Sequence, residues 1–388
     1  SSGNDLCNLG GGNPAQIPAI ESIFHEIISK AVRNGAFHDL VSRYDGPQGH
    51  RPFLIALSDL LNREYGWGVG PDNIAMTTGS QSSFFIIFNL LTGLCQDGKR
   101  RHIQLPMVPE YIGYADIAMA SNALRTNKPI IERIDSHSFK YHIDFNAFEV
   151  DDMTGGVCVS RPTNPTGNVI STEEIERLMV LTRAAGVPLI IDNAYGVPFP
   201  NIVFSDIRPV FDSHIIYCMS LSKLGLPGLR TGIVIANEEV IEAIRSINAV
   251  MSLATGSLGA GLATSLVQSS DVLRIGNEVI RPYYADRLKQ ALSWCNEHLS
   301  DLDYFIHQPE GAIFLWLWFP ELPITAQDLY QRLKTRGVLI IPGHYFFPGY
   351  GEPWKHVHEC VRISYSQSPE QVEKGIRVLS EEIRRAFS

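Results

Sequence analysis

The sequence predicts an α/β protein in which a mostly parallel central sheet forms a large domain and a smaller α+β domain follows. Over roughly the first 270 residues, nearly continuous runs of Val, Ile and Leu alternate with amphipathic helical segments. Such runs are typical of parallel strands that are buried on both faces. Beyond that point the alternation continues with longer helical segments, which indicates a second unit.

The predicted elements of the large domain follow one another in a regular order. Strands are predicted at 74–76, 103–105, 156–159, 187–191, 215–219 and 231–235, with a helix over 84–91. Another helix is opened by the capping box of Ser171 and Glu174 and ends near Gly186. Strands and helices that alternate in this way predict a sheet with right-handed crossovers.

The smaller domain has its own predicted order. Two helical stretches span 272–298, and a helix begins near Thr325. The last helix is opened by Ser368, with Pro369 at its first position. Strands are predicted at 304–307, 312–319, 338–341 and 361–365.

Composition narrows the function classes. The chain has 388 residues, 45% of them hydrophobic, and a net charge of −9, which argues against nucleic acid as a partner. Its six cysteines show no paired spacing, as expected of reduced thiols. No apolar run approaches the ~20 residues of a membrane span. We therefore expect a soluble, cytoplasmic protein with no membrane partner, and native residues ahead of Ser1, which is not a methionine.

A lysine motif suggests covalent chemistry. Lys223 follows a predicted buried strand, lies close to Ser220 and Ser222, and precedes Arg230 by seven residues. Its amine could form a Schiff base while the two hydroxyls and the guanidinium bind a phosphate. An exposed loop lysine is the simpler alternative, and the motif alone does not decide between them.

A carboxylate at the end of another strand favours the first interpretation. Asp192 ends an apolar strand at the carboxyl edge of the predicted sheet, where ligands bind in such folds. There it could keep a pyridine nitrogen protonated, and Tyr195 could bind the phenolate oxygen of the same ring. The alternative is an aspartate that caps a helix.

Two further turns carry polar groups. Asn164 lies in a Pro- and Gly-rich turn after a buried strand and could present its amide to a cofactor, although a plain turn would have the same composition. Gly79, Ser80 and Gln81 lie where a strand meets a helix, and free backbone N–H groups there favour an anion.

The order of these motifs resembles the class I aminotransferases, which are fold type I pyridoxal-phosphate enzymes. The resemblance covers nearly the whole chain: Gly79–Ser80, Asn164–Pro165, Asp192, Ser222–Lys223, Arg230 and a late Arg362 follow in family order. It extends to the stretches 9–18, 44–49, 109–114 and 309–319. The implied organisation is an N-terminal arm with part of the small domain (1–45), a large cofactor domain (46–270) and a small domain (271–388).

The resemblance also implies residue roles. By this resemblance, Lys223 carries pyridoxal 5'-phosphate and transfers protons. Arg362 binds the substrate α-carboxylate bidentately. Asp192 faces the ring nitrogen, with Tyr195 also counted as catalytic. The other implied contacts are those to the phosphate (Gly79, Ser80, Gln81, Ser220, Ser222, Arg230), to the ring (Tyr111, Asn164, Tyr195), to the substrate (Gly12, Asn164) and to the partner's phosphate across a homodimer (Tyr44).

Two details of the family pattern need separate mention. Some members have eight residues from lysine to arginine where this chain has seven, and we expect the loop path rather than the role to differ. The resemblance also suggests a cis peptide bond between Asn164 and Pro165.

The implied reaction is L-valine plus pyruvate giving 3-methyl-2-oxobutanoate plus L-alanine. Two rivals stay open: another pyridoxal-phosphate reaction such as β-elimination or decarboxylation, and a non-catalytic regulator of the same fold. His356, His358 and Cys360 alternate as they would on one face of a strand, but a structural role is favoured over a metal site, and no metal is expected.

Overall fold

The computed structural model describes residues 6–388, in which sixteen strands and twelve α-helices are found. The strands are β1 (Cys7–Asn8), β2 (Ile74–Thr78), β3 (Gly93–Leu94), β4 (Arg100–Leu105), β5 (Leu124–Thr126), β6 (Ile130–Arg133), β7 (Ser138–His142), β8 (Thr154–Ser160), β9 (Leu189–Asp192), β10 (Ile215–Ser220), β11 (Thr231–Ile235), β12 (Phe305–His307), β13 (Phe314–Trp318), β14 (Val338–Leu339), β15 (Ile341–Pro342) and β16 (Cys360–Ser364).

The helices cover the sheets and connect their strands. They are α1 (Pro18–Arg33), α2 (Ala36–Ser42), α3 (Arg51–Tyr65), α4 (Ser80–Leu91), α5 (Thr172–Ala185), α6 (Glu238–Met251), α7 (Leu258–Gln268), α8 (Asp271–Ile275), α9 (Arg281–Leu299), α10 (Ala326–Thr335), α11 (His356–Glu359) and α12 (Pro369–Phe387). A π-helical turn, Gly276–Ile280, joins α8 to α9. Within residues 6–388, none of the helices combines the length and the apolar character that a membrane crossing needs.

The large sheet has eight strands in the order β2–β11–β10–β9–β8–β4–β3, with β5 paired to β4. The pairs from β10 through β9 and β8 to β4 are parallel, and so is β4 with β5, while β11 is antiparallel to both of its neighbours. Strands β8 to β11 are buried along their whole length, which explains why apolar and small residues dominate their sequences. The predicted mostly parallel central sheet is confirmed.

The second sheet has six strands in the order β15–β16–β13–β12–β7–β6 and is mainly antiparallel. Its strands β6 and β7 come from inside the segment that the sequence predicted as the large domain. The N-terminal strand β1 pairs with β14 in a separate two-stranded sheet. The three-part division at residues 45 and 270 stays a prediction.

Local signals placed most elements within a few residues. Ser171 caps α5 and exchanges both hydrogen bonds of the capping box with Glu174, and Gly186 ends the helix at a φ of 66°. Ser368 caps α12 with Pro369 at the first helical position. The predicted strands are all present, although the run 338–341 is divided between β14 and β15.

The predicted strand alternation of His356, His358 and Cys360 is wrong. The two histidines lie in the short helix α11, and β16 begins only at Cys360. The helical turn is held because Val357 and His358 donate backbone hydrogen bonds to the carbonyls of Trp354 and Lys355. His356 is buried, and its Nε2 lies 3.5 Å from the Cys360 thiol.

Candidate active site

A cavity of about 310 Å³ opens at the carboxyl ends of β8, β9 and β10. Among its lining residues are twelve that the sequence singled out: Gly12, Ser80, Gln81, Tyr111, Asn164, Asp192, Tyr195, Ser220, Ser222, Lys223, Arg230 and Arg362. The structure therefore brings together residues from widely separated parts of the chain. Gly79 lies beside the cavity and Tyr44 lies outside it.

Lys223 lies in a short helical turn that follows β10. Its Nζ donates a 2.5 Å hydrogen bond to the carbonyl of Gly12 and lies 5.4 Å from the centre of the Tyr195 ring. Burial lowers the pKa of the Lys223 ammonium to about 8, and the charges of Arg362 and Arg230 contribute in the same direction. The amine is thus available as a nucleophile and proton acceptor near neutral pH.

Asp192 ends β9, as predicted, and presents its carboxylate to the cavity. Its Oδ2 accepts a 2.9 Å hydrogen bond from the Tyr114 hydroxyl and its Oδ1 accepts a 3.0 Å bond from the Ala194 N–H. Burial raises the pKa of this carboxyl to about 6, although both hydrogen bonds act against the rise. Asp192 does not cap a helix, since the next helical turn of the described chain begins at Ser222.

The other end of the cavity is suited to an anion. Ser80 is the first residue of α4, so its backbone N–H belongs to a helix N-terminus. Ser222 N–H donates to the Ser220 hydroxyl at 3.0 Å, and the two hydroxyls lie 2.9 Å apart. Arg230, seven residues beyond Lys223, also lines the cavity.

Gly79 allows the arginine to reach this end. Its φ is +83°, and a Cβ at this position would lie 2.2 Å from Nη2 of Arg230. A larger residue would therefore displace the guanidinium. Gln81, the second residue of α4, donates from Nε2 to the carbonyl of Gly113 at 3.0 Å and so anchors the turn that follows Tyr111.

Arg362 projects from the middle of β16. Its Nη1 donates to Asn164 Oδ1 at 2.7 Å and its Nη2 donates to the Gly10 carbonyl at 2.6 Å, while its buried Nε has no partner. The guanidinium carbon lies 4.1 Å from the ring centre of Phe314, and burial lowers its pKa to about 10. A buried cation with an unused donor fits a carboxylate ligand.

The turn around Asn164 differs from one expectation. The prediction of a cis bond between Asn164 and Pro165 is wrong, because this bond is not among the cis X–Pro bonds of the described chain. The bond one proline earlier, Arg161–Pro162, is cis. The chain reverses here through a turn that Gly167 closes by donating its N–H to Thr163 at 2.8 Å. The Asn164 amide oxygen, expected to face a cofactor, accepts from Arg362 instead.

The three tyrosines of the prediction have different surroundings. Tyr111 lines the cavity and meets Tyr114 edge-on at 5.3 Å between ring centres. Tyr195 is buried, and burial raises its pKa. Tyr44 is 85% exposed, next to a tight turn in which Gly46 and Gly49 form a bridge. Within one chain Tyr44 does not reach the cavity.

Sequence reasoning missed several polar groups at the site. Ser160 lines the cavity, and Glu110 and Tyr114 lie directly behind it. A signal for Ser160 was present, because it ends a strand next to the one that Asp192 ends, and the two residues are register partners. Glu110 and Tyr114 flank Tyr111 in the stretch 109–114, but no periodic pattern marks them as parts of a site.

The residues present fit pyridoxal phosphate. One end of the cavity supplies hydroxyls, helix N–H groups and Arg230 for a phosphate, and the middle supplies Lys223 for an aldehyde carbon. Asp192 is available for a ring nitrogen, and the unused Nε of Arg362 for the carboxylate of an amino acid. Together with the confirmed sheet topology, this defines a fold type I pyridoxal-phosphate enzyme acting on amino acids.

The chain belongs to the family described as aminotransferase class I and II, which matches residues 4–379. It is 48% identical to the valine–pyruvate aminotransferase of Escherichia coli K12 over 98% of this chain and 91% of that one. A solved valine–pyruvate aminotransferase of Salmonella typhimurium LT2 is 49% identical, with a TM-score of 0.93 over 98% of this chain and 96% of that one. The protein is therefore a pyridoxal-phosphate-dependent aminotransferase.

A more distant structure agrees on the fold. A double mutant of Thermus thermophilus aspartate aminotransferase is 20% identical and superimposes with a TM-score of 0.76 over 97% of this chain and 91% of that one. At this identity the likeness concerns the architecture alone. The fold type I architecture predicted from the sequence is confirmed.

Proposed function

We propose that this aminotransferase transfers the amino group of L-valine to pyruvate and yields 3-methyl-2-oxobutanoate and L-alanine. The number of cationic side chains that line the cavity is the main support for this proposal. Among the described lining residues the cationic side chains are Lys223, Arg230 and Arg362, and each has a task at the amine, the phosphate or the α-carboxylate. Among the described residues of one chain, the cavity lining holds no further cation for an acidic substrate side chain. The activity named for the 48% identical relative supports the same choice.

The geometry of the cavity supports the following residue roles. Pyridoxal phosphate supplies an electron-withdrawing ring when bound. Asp192 holds a proton at the ring nitrogen, and Ser80, Ser220, Ser222 and Arg230 bind the phosphate. Arg362 orients the substrate through its carboxylate, so that the α-hydrogen faces Lys223.

Lys223 then performs the proton transfers. With the cofactor bound, the free amine of Lys223 would take the α-proton of the substrate, hold it at Nζ and give it up again during the transfer. The lowered pKa of this amine suits both directions of transfer. Tyr111 and Tyr195 hold the ring in place, and Gly12 lies in the arm next to the substrate carboxylate. The same residues serve both half-reactions, so the kinetics are ping-pong.

We also propose a cytoplasmic homodimer with shared active sites. Tyr44 is exposed in a rigid loop, as a residue that reaches a partner's phosphate must be. A reducing location agrees with the thiol state of Cys95, Cys158, Cys218, Cys295 and Cys360.

The proposed specificity is tested with donor and acceptor pairs. We expect L-valine with pyruvate to exceed L-aspartate with pyruvate by at least about 100-fold in kcat/KM, since a buried unpaired carboxylate costs several kcal/mol. Release of ammonia or carbon dioxide from a single amino acid, without a 2-oxo acid acceptor, would identify a lyase or decarboxylase instead. Equal rates with aspartate and valine would reject the assigned substrate class.

A further inference from the structure

A second buried carboxylate lies behind the ring-nitrogen carboxylate of the site. Glu110 is 1% exposed, and its Oε1 accepts a 2.9 Å hydrogen bond from Ser160 N–H. Its Oε2 accepts from the Ser160 hydroxyl at 2.6 Å and from Tyr111 N–H at 3.0 Å. Its three hydrogen bonds thus come from two residues that line the cavity.

Glu110 is connected to Asp192 by two hydroxyls. The Ser160 hydroxyl lies 3.4 Å from the Tyr114 hydroxyl, and Tyr114 donates to Asp192 at 2.9 Å. The register of β8 and β9 fixes this arrangement, because it places Ser160 opposite Asp192. We call Glu110, Ser160, Tyr114 and Asp192 the carboxylate relay.

The protons of the carboxylate relay have one consistent arrangement. Each hydroxyl has a single proton to donate. The short bond from Ser160 to Glu110 uses the proton of Ser160, as expected of a charge-assisted bond. The proton of Tyr114 is then directed to Asp192, where the hydrogen bond is 2.9 Å long.

The described surroundings of the carboxylate relay contain several other acidic groups. Besides Asp192 and Tyr114, the titratable groups that act on Glu110 or share its site are the Cys158 thiol and the Tyr111 hydroxyl. Burial raises the pKa of Glu110 to about 7 against the effect of its three donors, and the charge of Asp192 adds to the rise. The two carboxylates interact through their charges, so an ionised Glu110 favours a proton at the far end of the relay, where Asp192 meets the cavity.

We propose that Glu110 is a positioning residue that acts through Asp192. By taking the proton of Ser160 it leaves the proton of Tyr114 for Asp192, and it places a second negative charge behind Asp192, which strengthens the binding of the ring-nitrogen proton. This inference rests on the proposed function, since it concerns the cofactor that the site binds.

The test compares two ligands that differ only at the ring nitrogen. The full chain, freed of cofactor, is titrated with pyridoxal phosphate and with the carbocyclic analogue in which C–H replaces the ring nitrogen. For Glu110→Gln we expect about a tenfold loss of affinity for pyridoxal phosphate, the equivalent of one pKa unit, and less than about a twofold change for the analogue. Equal losses for both ligands, or no loss for either, would overturn the proposal.

Two further variants secure the interpretation. Ser160→Ala interrupts the relay while leaving Glu110 in place, and should show the same selective loss; if Glu110→Gln does not fold, this variant decides alone. Glu359→Gln removes a buried carboxylate that binds Trp318 and lies outside the cavity lining, and both affinities should stay unchanged. If the unmodified protein binds pyridoxal phosphate but transfers no amino group, the proposed function fails while the ligand comparison still decides on Glu110.

Discussion

The bidentate binding of a carboxylate proposed for Arg362 makes a quantitative prediction. In Arg362→Lys the charge is retained, but an ammonium has no planar fork and cannot also keep the bonds to Asn164 Oδ1 and Gly10 O. Loss of one hydrogen bond to a charged group costs about 1.5–3 kcal/mol. At about 1.4 kcal/mol per tenfold, KM should rise about 10- to 150-fold for L-valine and for pyruvate alike.

Steady-state kinetics with both substrates varied measure this effect. The rise should appear in both KM values because amino acid and oxo acid present the same carboxylate. Arg230→Lys is the matched control: it should weaken cofactor binding and leave the KM for L-valine within about twofold at saturating cofactor. An unchanged pair of KM values in Arg362→Lys would show that another residue binds the carboxylate.

Four further predictions follow from the same site. Lys223→Ala should abolish turnover and the borohydride-trapped bond to the cofactor; trapping on the same peptide would disprove the assignment. Asp192→Asn should still bind the cofactor covalently but lose several orders of magnitude in kcat, and near-normal turnover would exclude the ring-nitrogen role. Because burial lowers the pKa of Lys223 from 10.5 to about 8, the unfolded chain binds more protons between these values, so the Tm of the cofactor-free protein should rise over that pH range relative to Lys223→Met; parallel curves would contradict this. Hybrid dimers of Tyr44→Ala, once shown to be inactive alone, with Lys223→Ala should regain part of the activity, since one site carries neither defect; hybrids without recovery would reject shared sites.

The sequence predicted the parts of the site that lie at strand ends. Lys223 and Asp192 each follow or end an apolar run, and the carboxyl ends of neighbouring parallel strands meet at one edge of a sheet. The local pattern of an apolar run followed by a polar residue was sufficient to predict these two positions. The same holds for the helix caps at Ser171 and Ser368, whose hydrogen bonds span only three residues.

The features that could not be predicted from the sequence depend on contacts between residues that are far apart in the chain. Strand β7 joins the second sheet by pairing with β12, at Ser138 with Ile306, and no periodicity within either segment records that partner. Glu110 reads as an ordinary charged residue until the fold buries it against Ser160. The role proposed for Tyr44 likewise depends on a second chain, since its side chain is exposed within one chain.

The bond between Arg362 and the carbonyl of Gly10 joins positions 352 residues apart. During synthesis, the ribosome must therefore release almost the entire polypeptide before the carboxylate pocket can assemble. A nascent chain that ends before β16 contains the residues proposed to bind the phosphate but lacks the Arg362 guanidinium that contacts Gly10 of the N-terminal arm. Contacts this distant in sequence form late, because the entropy of closing the loop is lost before any contact compensates for it. The residues proposed to bind the phosphate therefore leave the ribosome well before the residue proposed to bind the substrate carboxylate.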